Sequence, residues 1–189
     1  MLKIILTGPE SSGKTTLARQ LATHFNALLV EEYVRTFFEK KGTPQYNQED
    51  LVEIANGQMN VELRMMNDES LITHHLSPML VCDTDLLTLK IWSNEVYGNC
   101  SAELAQLIDN QLVNLSLNIS EYYFLCSPEG IEWEDDPLRE NPNDRDRLFK
   151  IYENELKFYQ KNYSTLRGSK IERFDKAMTK INRLLKNTV

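Results

Sequence analysis

The segment GPESSGKT, Gly8 to Thr15, limits what this chain can fold into more than any other stretch in it. It satisfies G-x-x-x-x-G-K-[ST] at every fixed position. Composition alone would produce that pattern in well under ~1% of chains of this length. The surroundings fit as well. An apolar run, Leu2 to Leu6, leads into the loop, and Lys14 to Phe25 leaves it as a helix with Leu17, Leu21 and Phe25 on one face. Glycine at the two fixed positions allows backbone angles that turn successive N–H groups into one concavity, which cradles phosphate oxygens. The following helix adds partial positive charge at its N-terminus. Gly8, Pro9, Glu10, Ser11, Ser12, Gly13, Lys14, Thr15 and Thr16 are therefore expected to hold ATP. Lys14 should reach the β- and γ-phosphates, and the Thr15 hydroxyl should ligate Mg²⁺.

The rest of the chain alternates strand-like apolar runs with helix-like periodic segments, the pattern of a parallel sheet covered by helices. Strands are expected at Leu2–Leu6, Leu28–Val30, Met79–Cys82, Tyr122–Leu125 and Ile171–Phe174. Helices are expected at Lys14–Phe25, about Gln48–Asp68, Leu86–Tyr97, Ala102–Leu115, Arg145–Tyr159 and Lys176–Lys186. No repeat or linker divides the 189 residues, so one domain over 1–189 is expected. The polar, proline-punctuated segment Ser127 to Asp144, after strand four, reads as a mobile lid.

Bulk composition narrows the partners. The net charge of -7 disfavours a nucleic acid, which selects a basic surface. No run approaches the roughly 20 apolar residues that span a bilayer, and the N-terminus reads as a first strand where a signal peptide would need a longer apolar region. Three cysteines without CxxC spacing argue against a disulfide framework or zinc site and for a reducing cytoplasm. Cys82 and Cys126 end apolar strands and read as packing. The three histidines show no metal-ligand spacing.

Ligands of open α/β sheets bind beyond the carboxyl ends of the strands. Asp83 ends the run MLVCD and has the position of a Mg²⁺-holding acid, while Asp85 fits a helix cap for the segment starting at Leu86. Glu32 ends the second strand, where an acid orients an acceptor hydroxyl or takes its proton. Tyr33 and Arg35 follow it as candidate pocket residues. In the lid, Arg139 is the first choice for neutralising the transferring phosphoryl group. Arg145 and Arg147 divide between that role and surface ion pairs, and Trp133 between loop anchor and stacking surface. Trp92, beside Leu89 and Ile91 on a helix, reads as core packing in preference to ligand stacking.

GPESSGKT, EEYVR at Glu31 to Arg35, CDTDLLT at Cys82 to Thr88 and the Trp-containing lid ending in DDPLR at Asp135 to Arg139 together resemble the nicotinamide riboside kinase domain of the NadR-like ATPase/kinase family. The order and spacing cover nearly the whole chain. The resemblance implies a P-loop kinase fold and 5′-phosphorylation of nicotinamide riboside, with ATP and Mg²⁺ as the donor system. It carries over Gly8, Gly13, Lys14 and Thr15 for ATP and metal, Glu32, Tyr33 and Arg35 for the acceptor, Asp83 and Asp85 as strand-three acids, and Arg139 for the lid. The chain departs from the family in two ways. It starts at the phosphate-loop strand, without the adenylyltransferase or DNA-binding domains of larger members, and is not expected to make the dinucleotide itself. Glu31 also stands where bifunctional members place a tryptophan that suits ring stacking, so Tyr33 or Trp133 would have to supply the platform. The alternatives are another nucleoside, nucleotide or metabolite kinase, or a regulatory ATPase. The absence of an N-K-x-D motif speaks against a GTPase.

Overall fold

Strands buried on both faces of a parallel sheet read as near-continuous apolar runs, and LKIILT, MLVCD and SEYYFLC become the middle of such a sheet. The computed structural model describes residues 1–67, 79–113, 119–135 and 143–186. Their order is β1 (Leu2–Thr7), α1 (Lys14–Phe25), β2 (Leu28–Val30), α2 (Tyr33–Lys41), α3 (Gln48–Asn67), β3 (Met79–Asp83), α4 (Leu86–Tyr97), α5 (Ala102–Val113), β4 (Ser120–Cys126), α6 (Arg145–Phe158), β5 (Tyr163–Leu166) and α7 (Lys170–Lys186). The sheet runs β2-β3-β1-β4-β5, and every pairing is parallel. This is the P-loop kinase arrangement expected from the sequence.

The strand order positions the site. From β1 the chain moves outward to β2, returns through β3, and then crosses to β4 and β5. Connections therefore diverge between β1 and β3, which leaves a crevice at their carboxyl ends. Leu6 lies opposite Asp83 there, and the Thr84 amide donates to the Leu6 carbonyl at 3.0 Å. Alternating side chains of one strand feed two cores. Ile5, Leu80, Cys82 and Tyr123 meet Phe37, Leu51, Leu86 and Leu148 on one face. Ile4, Leu6, Val81 and Phe124 meet Leu17, Leu21, Ala177 and Ile181 on the other. Cys82 and Cys126 are buried free thiols, as expected.

Two stretches depart from the sequence reading. Ile171–Phe174 is not the last strand: it lies in the first turns of α7, and the edge strand is Tyr163–Leu166. The physical reason is a reciprocal cap at the helix start. The Glu172 amide donates to Ser169 Oγ at 3.3 Å, and the Ser169 amide donates to Glu172 Oε2 at 2.7 Å. Ile171 is 74% exposed, so its apolar character marks no core strand. The second departure is α2, which the sequence reading left unassigned. It buries Val34, Phe37 and Phe38, an i, i+3, i+4 stripe, and ends on Gly42 at φ 71°.

A polar cluster interrupts the first core. Lys3 on β1, only 3% exposed, pairs with Glu62 of α3 at 2.5 Å and with Glu121 of β4 at 3.3 Å. Lys161 meets the other oxygen of Glu121 at 2.9 Å. Gln111 donates to Glu62 at 3.3 Å and accepts from the Leu86 amide at 3.1 Å. Burial opposes the Lys3 charge, but the surrounding acids outweigh it and its pKa rises. Asp85 caps α4 as anticipated, accepting from the Leu87 amide at 3.1 Å, and also accepts from the Tyr123 hydroxyl at 2.7 Å.

Burial pushes the Asp85 carboxyl up to about 6. A raised pKa means that the folded state favours the protonated form. The stabilisation from this group is therefore complete below about pH 4 and is lost as pH rises through 6. Asp85→Asn should lose about 2 kcal/mol less stability than the wild type between pH 4 and pH 7. Urea denaturation at both pH values measures the difference. Parallel losses in the two proteins would place the titration elsewhere.

Candidate functional site

The phosphate loop leaves β1 through Gly8 at φ 134°, where a Cβ would lie 2.6 Å from the Cys126 carbonyl oxygen. Ser11 and Gly13 also take positive φ, 46° and 81°. Cations hold four carbonyls of the loop. Lys14 Nζ donates to Gly8 and Pro9 at 2.8 Å each. Arg145 of α6 donates to Ser11 at 2.9 Å, and Arg173 of α7 to Ser12 at 3.1 Å. A trans peptide points the next N–H away from its carbonyl. Fixing the Ser11 and Ser12 carbonyls thus aims the Ser12 and Gly13 amides to the opposite side.

The loop forms one end of a cleft of about 790 Å³. Every residue from Gly8 to Thr16 lines it. The cleft is also lined by Glu32, Val34 and Arg35 at the start of α2, by Thr88, Ile91, Trp92 and Glu95 of α4, and by Leu148 and Tyr152 of α6. Gly130 to Glu134, in the connection after β4, lies along one side, and Ser169 and Lys170 close the end beyond β5. The Glu32 carboxylate caps no amide of α2, although Glu32 occupies the N-cap position.

The expected site residues divide into those that meet in this cleft and those that do not. Asp83 is 4% exposed and does not itself line the space, but Thr15 and Lys14, which do, are near enough to its carboxylate to favour its charged form. Burial raises its pKa against the opposing pull of Thr15 and Lys14. Asp85 and Tyr33 do not line the cleft either. Asp85 is enclosed between Tyr123 and the Leu87 amide. The Tyr33 ring covers Gly57 of α3, where a Cβ would come within 2.0 Å of it, so that glycine is what lets the ring settle. Its amide donates to Gln58 at 2.7 Å. Trp133 does line the cleft, with its indole N–H on Asp135 at 2.8 Å and the Arg145 guanidinium over its ring. Arg139 lies outside the described residues. Arg147 takes the surface alternative and pairs with Glu95 and Asp144. Glu31 turns outward and pairs with Arg19, both well exposed.

The sequence reading missed two residues. Trp92 packs on Tyr46, with ring centroids 4.7 Å apart, and donates to its hydroxyl at 2.7 Å; it is core and cleft wall at once. Periodicity assigns a helix face but does not show that the face borders a cavity. Arg173 was hidden in the misassigned last strand, and the Ser169–Glu172 cap was the signal that could have exposed it. Among the described residues no helix is long and apolar enough to cross a membrane, and no cluster of acids, histidines and cysteines could hold a metal by itself.

The model of an AAA domain family, AAA_28, matches residues 3–173. No curated protein sequence matches the chain. Several solved structures share its fold. A NadR protein in complex with NR superposes with a TM-score of 0.71 at 19% identity, covering 96% of this chain and 50% of that one. A NadR protein in complex with NAD and AMP-PNP gives 0.69 at 17%, covering 96% and 48%. The present chain thus spans about half the length of the NadR chains. Deoxyadenosine kinase from M. mycoides with bound dATP gives 0.61 at 15%, covering 96% and 100%.

The crowding at Gly8 generates a direct test. Gly8→Ala forces a Cβ against a backbone oxygen at a left-handed φ, and no side-chain rotation relieves it. The variant should lose about 2 kcal/mol or more in urea denaturation. Wild-type stability would mean that the turn after β1 opens freely.

Proposed function

The chain belongs to the AAA domain family AAA_28, and from that premise we propose that it is an ATP-dependent kinase acting on a nucleoside hydroxyl, with nicotinamide riboside as the foremost acceptor. The observation that carries the reading is the continuity of the cleft. Lys14 and Thr15 border the same space as Glu32, Arg35, Trp92 and Tyr152. A triphosphate on the loop would therefore present its end to an acceptor in the same cleft, and such positioning is the main work of phosphoryl transfer.

Each residue then has a part. Lys14 exchanges the Gly8 and Pro9 carbonyls for phosphate oxygens. Thr15 and Asp83, whose side chains interact, are hard oxygen donors of the kind that suits Mg²⁺ beside phosphates and water. When bound, the metal supplies charge neutralisation on the phosphates. Glu32 orients the acceptor hydroxyl and takes its proton. Arg35 binds the ribose side. Arg139 remains the proposed lid charge, and Trp133 the cover. Asp85 and Tyr33 act from behind the wall by fixing α4 and α2.

A flat aromatic wall with a carboxylate nearby suits a nucleoside ring, and a cationic pyridinium above all. Trp92 offers that platform where Glu31 does not, and Glu32 brings a carboxylate to the same cleft. The fold shared with a NadR protein in complex with NR supports this choice. A deoxynucleoside acceptor is the second reading, favoured by full-length coverage of deoxyadenosine kinase.

A panel of nucleosides, assayed for ATP consumption and phosphorylated product, tests the proposal. Nicotinamide riboside should give the highest kcat/KM, and Lys14→Ala should lower it by about 10²-fold or more without loss of helical signal. ATP consumption independent of every acceptor would instead indicate a regulatory ATPase. Trp92→Ala should raise the acceptor KM by about tenfold and leave the ATP KM within about twofold. An equal rise in both would return Trp92 to a purely structural role.

A further inference from the structure

Arg173 is the most deeply buried cation that serves the cleft without entering it. The residue stands in the first turns of α7 at 3% exposure. Its guanidinium makes four hydrogen bonds, all to backbone carbonyls. Nε donates to Gly168 at 2.7 Å, Nη1 to Ser127 at 2.7 Å and to Ser12 at 3.1 Å, and Nη2 to Glu129 at 2.8 Å. One planar fork thus joins the phosphate loop, the root of the connection after β4, and the turn between β5 and α7.

Its guanidinium makes no ion pair among the described residues, and the Glu129 charge reaches it only from beyond hydrogen-bond contact. Glu129, whose carbonyl Arg173 holds, pairs through its side chain with Arg167 at 2.7 Å, and the adjacent Glu172 turns its carboxylate to Ser169. Burial lowers the Arg173 pKa against the opposing pull of Cys126 and Glu129, and Arg167 adds to the lowering. A guanidinium nonetheless stays charged at neutral pH. Neutral carbonyl dipoles offset a buried cation only in part. The peptide held by Nη1 is the one whose far side presents the Gly13 amide, and Gly13 lines the cleft. An anion that accepts from this amide would also meet the buried positive charge behind it.

We infer that Arg173 is a positioning residue for the phosphoryl donor, holding the Ser12–Gly13 peptide so that its amide faces the donor phosphates and supplying, from behind the loop, a positive charge that those phosphates neutralise. The idea rests on the donor half of the proposed function and is independent of the acceptor. Donor binding and the Arg173 charge are then linked, so that each stabilises the other. A purely structural arginine would lower stability without discriminating phosphate from nucleoside.

The test is calorimetric binding to the full chain, without acceptor, of AMP-PNP with Mg²⁺, of tripolyphosphate, and of adenosine. Arg173→Gln removes the charge, and Arg173→Lys keeps it but loses the fork. Arg173→Gln should weaken AMP-PNP and tripolyphosphate by about tenfold or more and leave adenosine within about twofold. Arg173→Lys should fall between Gln and wild type for both phosphate ligands. In turnover, the KM for ATP should rise while that for the acceptor holds. Should Arg173→Gln fail to fold, the lysine variant decides alone. Wild-type phosphate affinity in Arg173→Lys, or an equal loss for all three ligands, overturns the inference. Because no acceptor is present, a wrong acceptor assignment leaves this outcome untouched and shows only in the nucleoside panel.

Discussion

The outward pull of cations on the carbonyls of the phosphate loop is the interaction on which the rest of the site depends. A loop of bare amides does not hold a concave shape alone, because each peptide can rotate and present either of its poles. Here Lys14, Arg145 and Arg173 occupy the carbonyl side at Gly8, Pro9, Ser11 and Ser12. Three separate helices contribute those cations, so the loop's shape follows from the packing of α1, α6 and α7. An acidic protein of net charge -7 thereby concentrates positive charge where an anion is to bind.

A second constraint lies within the sheet. Lys3 sits where the pattern of β1 calls for an apolar residue, and it survives there because Glu62 and Glu121 meet it. Such a pair adds little net stability over apolar packing, yet breaking one partner leaves a charge in low dielectric. Its geometric effect is clearer. Glu62 also engages Gln111, which in turn accepts from the Leu86 amide at the start of α4. The register between α3, α5 and the helix carrying Trp92 is therefore fixed by directional bonds as well as by side-chain volume.

Much of this was legible in the sequence. The phosphate loop, the helix after it and the cap role of Asp85 could be read because each rests on local chemistry: glycine angles, period 3.6, and a side chain two residues from an amide. The sequence was misleading where local patterns were short. IERF is too short for its apolar spacing to separate strand from helix, and only the Ser169–Glu172 cap reveals the helix. Tyr33 stands beside a site acid in sequence, but Gly57, distant in sequence, gives its ring a seat away from the cleft. Trp92 shows the opposite case, a residue whose helical spacing spells core while the helix flanks a cavity. Arg173 was illegible because its partners are carbonyls, which carry no residue identity for a sequence to display.

The stays of the phosphate loop are far from it along the chain: Arg145 is 134 residues from Ser11, and Arg173 is 161 residues from Ser12. Synthesis proceeds from the N-terminus, so the glycine loop leaves the ribosome well before Arg145 and Arg173, the residues that support it. Strand β1 likewise waits for β3 and β4 on either side. A nascent chain halted before α7 would own the complete motif and still lack the scaffold that directs its amides. The final shape of the loop is thus postponed until α6 and α7 have been made and packed, long after the motif itself has been translated.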